Sequence, residues 1–198
     1  MTKAVEFYFD VGSPAAYLAW TQLPKIAQAT GSEIEYRPML LGGVFQATGN
    51  RSPMEVPAKG QYMQDDLQRF AHRYGVPFRH NAFFPINTLV LMRMVLGLQL
   101  REGDESMVAF TRGVFRAIWV DGRNMGDPAV VTEVIRQAGF DPEKLLALAN
   151  DPAIKDDLKV ATQEAVQRGV FGAPTFFVGQ DMFWGQDRLD FVKEALQQ

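Results

Sequence analysis

Cysteine is absent from this sequence of 198 residues, and histidine occurs only twice, as His72 and His80. Without cysteine, disulfide bonds, thiolate metal ligands, iron–sulfur clusters and thiol chemistry carried by the protein itself are excluded. Two histidines are too few for a three-histidine metal site, and no metal site is predicted. Both histidines flank a turn and are expected at the surface, so we assign them no role.

A basic surface and a membrane-spanning segment are also missing. The net charge is −3, which offers no electrostatic footprint for nucleic acid. Glu6 and Asp10 interrupt the apolar start that a secretory signal would need. The apolar run from Thr88 is broken by Arg93 and Arg101, and a bilayer requires about 20 apolar residues. We expect a cytoplasmic protein with neither nucleic acid nor membrane as a partner.

The first forty residues have the pattern of a strand, a helix and a second strand. Residues 5–9 are rich in β-formers, and Ser13 with the proline after it is typical of a helix N-cap. The helix is predicted over 14–30, with Pro24 expected to kink or interrupt it. Residues 33–37 alternate polar and apolar and predict the second strand. A βαβ unit of this length implies a parallel strand pair.

A helical block follows, and the end of the chain returns to β-structure. Helical spacing marks six segments of the block: 65–74, 88–103, 105–120, 128–138, 142–149 and 155–168. Two short strands and a closing helix are then predicted at 174–178, 182–184 and 187–196. The order predicts an α/β thioredoxin-like fold with a large all-helical insertion. We expect a discontinuous thioredoxin-like domain of residues 1–45 and 168–198, and an insertion domain of residues 46–167.

The start of the first helix is the candidate site. In a thioredoxin-like fold this start lies beside a proline loop, here residues 171–175, and we expect the bond before Pro174 to be cis. Redox members carry two cysteines where this chain has Ser13 and three apolar residues. A helix N-terminus and a serine hydroxyl still stabilise an anion, and a thiolate bound there has a lowered pKa. The site therefore suits a borrowed thiol, with glutathione as the obvious choice, although Ser13 as a plain N-cap stays open.

Blocks of sequence along the whole chain resemble the 2-hydroxychromene-2-carboxylate isomerases. This family belongs to the superfamily that includes kappa-class glutathione transferases and DsbA-type oxidoreductases. The matching blocks are residues 7–18, 36–45, 48–50, 58–63, 85–89, 169–176 and 183–189. Each block alone has low specificity, but their order and spacing make the resemblance strong.

The resemblance implies a role for each matching residue. Ser13 is the expected catalytic residue that activates glutathione. The positions that the resemblance assigns to glutathione binding are Asn50, Lys59, Ala173, Pro174, Asp187 and Arg188. The positions assigned to the aromatic substrate are Pro85 and Asn87, with Arg37 as a candidate cation for its carboxylate. Purely structural interpretations remain open for Lys59 as a surface charge, for Asp187 and Asn87 as helix caps, and for Pro174 as a trans proline.

The implied activity is a glutathione-dependent isomerisation of a small aromatic substrate. It interconverts 2-hydroxychromene-2-carboxylate and trans-o-hydroxybenzylidenepyruvate by reversible addition of the glutathione thiolate. One alternative is a kappa-type glutathione transferase or peroxidase, which needs the same Ser13. A second alternative is a non-catalytic binding module of thioredoxin fold. The kappa-class resemblance further implies a homodimer.

Overall fold

A mixed sheet of four strands lies at the centre of the fold. The computed structural model describes residues 3–198. Strands β1 (Ala4–Phe9) and β2 (Glu33–Pro38) are parallel, whereas β3 (Thr175–Val178) pairs antiparallel with both β1 and β4 (Asp181–Trp184). The strand order is β2-β1-β3-β4. The predicted βαβ unit and the C-terminal hairpin are confirmed.

Helices cover most of the remaining described chain. Nine α-helices are described: α1 (Pro14–Thr30), α2 (Leu41–Thr48), α3 (Pro57–Tyr74), α4 (Leu89–Glu102), α5 (Asp104–Trp119), α6 (Pro128–Gln137), α7 (Pro142–Asn150), α8 (Pro152–Gln167) and α9 (Leu189–Gln197). Short 3-10 turns occupy Pro53–Glu55 and Gln186–Arg188. The α/β thioredoxin-like fold with helices inserted between β2 and β3 is therefore confirmed. The exact boundaries of the two expected domains stay a prediction.

Helix α1 begins and ends as its sequence predicts but passes through its internal proline. Ser13 caps the N-terminus, and Gly31 ends the helix in the left-handed conformation at φ 64°. The expected interruption at Pro24 is wrong, because the helix continues to Thr30. Proline removes one backbone hydrogen bond, but α1 buries an apolar face that holds both halves of the helix in place. Tertiary packing thus overrides the local signal.

The sequence prediction missed one helix and misplaced the starts of others. Helix α2 was not predicted, because it has no side-chain cap and its second and third residues are Gly42 and Gly43. Helix α3 starts at Pro57 rather than at residue 65, again with no side-chain N-cap hydrogen bond to mark it. The last helix starts at Leu189, after a 3-10 turn, rather than at residue 187.

The sheet is covered by helices on both faces. On one face Phe7 stacks on Phe176, with ring centroids 5.3 Å apart, and joins a core shared with α1, α4 and α5. On the other face Tyr8 and Phe177 pack in a second cluster that also contains Ala165 of α8. Side chains alternate across a strand, so covering both faces requires the nearly continuous apolar sequence of β1. The sheet is therefore packed on both faces up to the end of β1, where the candidate site begins.

The helices of the insertion also brace the turn between β1 and α1. Trp119 of α5 is fully buried, and its Nε1 donates to the Val11 carbonyl at 2.9 Å. The Val11 amide in turn donates to the Met92 sulfur of α4 at 3.4 Å. No helix within residues 3–198 is long and apolar enough to cross a membrane.

Candidate active site

Ser13 lies where α1 meets the proline loop, with only 4% of its surface exposed. Its Oγ accepts the Ala16 amide at 3.1 Å and donates to the Ala173 carbonyl at 3.0 Å. The first contact is an N-cap, so the structural interpretation of Ser13 holds. The second contact joins residues 160 positions apart and places the hydroxyl against the loop that the sequence predicted to lie there.

The proline loop is held by hydrogen bonds to four consecutive carbonyl groups. The peptide bond between Ala173 and Pro174 is cis, as expected. The donors to the carbonyls of residues 171–174 are, in order, Asn50 Nδ2, Thr175 Oγ1, Ser13 Oγ and the Gly185 amide, at 2.8, 2.8, 3.0 and 3.0 Å. Because every carbonyl of this segment is bonded, the loop presents a fixed backbone to the start of α1.

Two backbone amides at this junction are left available. The first helical residue is a proline and has no N–H, and the Ala16 amide is bonded to Ser13. The amides of Ala15 and Ala173 donate no hydrogen bond to any residue within 3–198. The first turn of α1 also contains no acidic residue. An anion placed here would meet free donors and the positive end of the helix dipole.

Asp10 is the titratable group nearest to Ser13 in the chain, and it is almost completely buried. Its carboxyl accepts the Gly12 amide at 2.8 Å, the Leu41 amide at 2.8 Å and the Thr88 hydroxyl at 3.0 Å. Burial raises the pKa of Asp10, and these three hydrogen bonds act against that rise. From the sequence, Asp10 is noted only as a charge that interrupts the apolar start of the chain. A lone acidic residue directly after the apolar strand β1 was the signal that could have revealed its role.

The predicted substrate segment lies against the same turn. Thr88 contacts Asp10, and its methyl group lies 2.9 Å from the position that a Cβ on Gly12 would take. Pro85 and Asn87 are exposed beside it, and the peptide bond before Pro85 is cis, which was not predicted. Asn87 Oδ1 accepts the Leu89 amide at 3.1 Å, but the N-cap residue of α4 is Thr88, so Asn87 is not the helix cap that the structural interpretation expected.

The predicted glutathione-binding residues outside the loop differ in how they relate to it. Asn50 contacts the Phe171 carbonyl directly, as described above. Asp187 and Arg188 form an ion pair at 3.5 Å in the turn that follows Gly185, whose amide bonds Pro174. Lys59 lies in the first turn of α3, is exposed, and forms no ion pair with any described residue. It borders an open cavity of about 290 Å³ lined by Pro53, Ala58, Tyr62 and Met63.

Arg37, the candidate cation for the substrate carboxylate, is paired with acidic side chains of the sheet. Its guanidinium pairs with Glu6 at 3.2 Å and with Glu35 at 2.6 Å. Glu35 precedes Arg37 on β2, and Glu6 precedes Tyr8, the residue of β1 that pairs with Arg37. The guanidinium is therefore directed back along the strands, away from the strand ends where Ser13 lies. Glu6 also forms an ion pair with Arg168. Burial raises the pKa of Glu6, but the two arginines together lower it below its ordinary value. Arg37 therefore belongs to a charge network with Glu6, Glu35 and Arg168, although its backbone lies only one residue before the end of β2.

The fold and the serine at the helix start place this chain in a known class. The family model described as a DsbA-like thioredoxin domain matches residues 4–197. The chain is 36% identical to a 2-hydroxychromene-2-carboxylate isomerase of Sphingobium xenophagum over 198 residues, which is 99% of each protein. It is 26% identical to human glutathione S-transferase kappa 1 over 208 residues, covering 99% of this chain and 92% of the relative.

A solved structure of a 2-hydroxychromene-2-carboxylate isomerase superposes with a TM-score of 0.84 and 32% identity, covering 98% of this chain and 94% of that one. The chain therefore belongs to the 2-hydroxychromene-2-carboxylate isomerase family of DsbA-like thioredoxin proteins. This confirms the resemblance inferred from the sequence blocks.

Within residues 3–198 no cluster of three histidine, aspartate or glutamate side chains is placed to hold a metal ion.

Proposed function

We propose that this chain is a glutathione-dependent isomerase. Its reaction would interconvert 2-hydroxychromene-2-carboxylate and trans-o-hydroxybenzylidenepyruvate, or a related aromatic enone. The observation that carries the proposal is the junction of Ser13 with the cis-proline loop, where a thiolate-stabilising helix end has no thiol of its own. Membership of the isomerase family supports the choice of reaction.

The residues at the junction fit the thiolate of glutathione. The Ser13 hydroxyl now donates to the Ala173 carbonyl, and rotation about its C–O bond turns the same proton toward a bound sulfur. The free amide of Ala15 and the dipole of α1 add further stabilisation. Together these groups lower the pKa of a bound thiol below its ordinary value of about 8.5. The site therefore holds the sulfur in its nucleophilic form.

The remaining glutathione contacts follow the peptide backbone of the cofactor. The amide of Ala173 is free to pair with the cysteinyl residue as an added strand would. Asn50 contacts the loop through the Phe171 carbonyl, and Lys59 would supply a cation for a carboxylate of the tripeptide. Asp187, in the turn after Gly185, would supply a carboxylate for the γ-glutamyl ammonium group.

When bound, glutathione supplies a thiolate that adds reversibly to the conjugated double bond of the substrate, allows rotation about the resulting single bond, and leaves unchanged. The residues of this chain hold the sulfur and the double bond of the substrate in the relative orientation that the addition requires. Ser13 holds the sulfur, and the exposed Pro85 and Asn87 beside it form one wall for the aromatic ring. Arg37 has no part in this scheme, because two carboxylates already neutralise it.

The proposal is tested by following isomerisation with three additions to the purified protein. The additions are glutathione, S-methylglutathione, which keeps the backbone contacts but cannot add to a double bond, and buffer alone. We expect turnover with glutathione only. Turnover without glutathione, or equal turnover with the S-methyl compound, would show that no thiolate addition takes place.

The relationship to glutathione S-transferase kappa 1 supports a second candidate, a kappa-type transferase. It is distinguished by conjugation of glutathione to an electrophilic aryl halide. Conjugation without isomerisation would favour the transferase, and the absence of glutathione binding in calorimetry would favour a binding module. A homodimer stays part of the proposal, and light scattering after size-exclusion chromatography measures the mass of the assembly.

A further inference from the structure

Three separate chain segments meet at the carboxyl group of Asp10. The Gly12 amide belongs to the turn before α1, the Leu41 amide begins α2, and the Thr88 hydroxyl lies at the start of α4. Asp10 is 1% exposed and forms no ion pair with any residue within 3–198. Its carboxyl therefore serves only neutral donors, and each donor ties a different segment to the end of β1.

Two of these segments carry the two halves of the proposed reaction. The carbonyl of Asp10 accepts the Ser13 amide at 3.0 Å, so Asp10 also holds the residue that faces the thiolate. Thr88 directly follows Asn87, in the segment that faces the aromatic substrate. A hydrogen bond of 3.0 Å between Asp10 and Thr88 is thus a direct link between the thiolate half and the substrate half.

The turn that contains Gly12 and the segment that contains Thr88 also approach each other closely through non-polar atoms. A Cβ on Gly12 would come within 2.9 Å of the Thr88 methyl group and within 3.3 Å of Asp10 Oδ1. Since real Cβ contacts are essentially never this short, the turn and Thr88 have no spare space between them. The hydrogen bond pulls the segments together, and the missing side chain of Gly12 permits their approach.

We propose that Asp10 and Thr88 form a positioning pair that sets the distance between the glutathione sulfur and the aromatic substrate. This inference rests on the proposed function and extends it to residues that contact neither molecule. Reactions between two bound partners depend steeply on geometry, and a misplacement of about 1 Å can cost about 100-fold in rate. The pair would therefore act on turnover more than on the affinity for either partner.

An aspartate is needed because the two backbone amides point at different oxygens. Gly12 donates to Oδ1 and Leu41 donates to Oδ2. An asparagine has a single acceptor oxygen, so its amide nitrogen would face one of these N–H groups and leave it unsatisfied. Replacing Asp10 would consequently disturb the whole turn, and the decisive test uses Thr88 instead.

The test compares Thr88→Val, which has nearly the same shape without the hydroxyl, with Thr88→Ser, which keeps the hydroxyl. Thr132→Val is the matched control, because Thr132 is half-buried on α6 and its hydroxyl bonds only the Pro128 carbonyl. For each protein we measure glutathione affinity by calorimetry, kcat for isomerisation, and hydrogen exchange of the amides of residues 86–89. Circular dichroism shows whether each variant keeps the secondary structure of the unmodified protein and is therefore folded.

We expect Thr88→Val to lower kcat by about 10–100-fold while the glutathione Kd changes little. Exchange of the amides at 86–89 should become about 10-fold faster, because the bond that anchors this segment to a carboxyl group is lost. Thr88→Ser should stay much closer to the unmodified protein than Thr88→Val in both measurements. Thr132→Val should match the unmodified protein throughout.

Two results would overturn the inference. One is a folded Thr88→Val protein with unchanged kcat and unchanged exchange at 86–89. The other is a loss of glutathione affinity as large as the loss of kcat, which would place Thr88 in the glutathione site itself. Failure of the proposed function is recognised separately, because the unmodified protein would then not isomerise the substrate. In that case the exchange measurement alone decides whether the pair anchors the segment.

Discussion

Replacing Ser13 by alanine perturbs two hydrogen bonds whose energies can be estimated separately. The bond from the Ala16 amide is an N-cap, and its loss costs about 1 kcal/mol of folding free energy. The bond to the Ala173 carbonyl adds about 1 kcal/mol, since a net hydrogen bond in a protein is of that order. We expect the free energy of unfolding of Ser13→Ala to fall by about 1–2 kcal/mol.

The same substitution should act more strongly on a bound thiol. A hydrogen bond to a charged group contributes about 1.5–3 kcal/mol, and one pKa unit corresponds to about 1.4 kcal/mol. The pKa of glutathione bound to Ser13→Ala should therefore lie about 1–2 units above its value in the unmodified complex. Titration of the ultraviolet absorbance of the bound thiolate measures this difference directly, and chemical denaturation measures the stability.

Asp127→Ala provides a matched control for the loss of a helix cap. Asp127 accepts the Ala129 amide at 2.9 Å and is followed by a proline, as Ser13 is, but it caps α6. This variant should lose similar stability and leave the thiol pKa unchanged. The assignment of Ser13 would be refuted by a bound thiol with the same pKa in Ser13→Ala as in the unmodified protein.

Two further predictions concern packing and charge. Gly97→Ala should lower the free energy of unfolding by about 1–3 kcal/mol, because its Cβ would come within 2.6 Å of Leu148 Cγ; thermal or chemical denaturation measures this. Gly42→Ala in α2 meets no atom within 4 Å and should be neutral or slightly stabilising. Burial, the largest single influence, raises the pKa of Glu6, but the hydrogen bonds and charges of Arg168 and Arg37 together hold it below its ordinary value of 4.5. Its stabilising contribution is therefore present above pH 4.5 and lost as the pH falls through the lowered pKa. Denaturation midpoints across this range should fall more steeply for the unmodified protein than for Glu6→Gln.

Equal stability of Gly97→Ala and Gly42→Ala would contradict the packing argument, because only the first replacement meets a side chain. Parallel pH profiles for Glu6→Gln and the unmodified protein would contradict the assignment of the lowered pKa to the ion pair. The two predictions are independent, since Gly97 lies on α4 where it faces Leu148 of α7, and Glu6 lies on the sheet.

Local sequence signals predicted those elements whose determinants lie close together in the chain. Ser13 followed by proline predicted the start of α1, and the alternation in β2 predicted its strand. The helices predicted at 128–138 and 142–149 correspond to α6 and α7, where Asp127 and Asp141 each accept an amide of the first turn at 2.9 Å. Helix α2 lacks such a signal, and its two glycines disfavour a helix, so only its packing against α8 reveals why it forms.

The candidate site also has features that the sequence predicts and features that only the tertiary packing decides. The sequence by itself determined that a serine and no cysteine stands at the start of α1, and hence that any thiol must come from another molecule. The tertiary structure alone decided that the Ser13 hydroxyl meets a carbonyl 160 residues away. It also decided that Asp10 joins residues 31 and 78 positions distant, and that Arg37 is directed to another network. Such contacts depend on how the sheet and helices pack, because their partners share no local pattern from which either could be predicted.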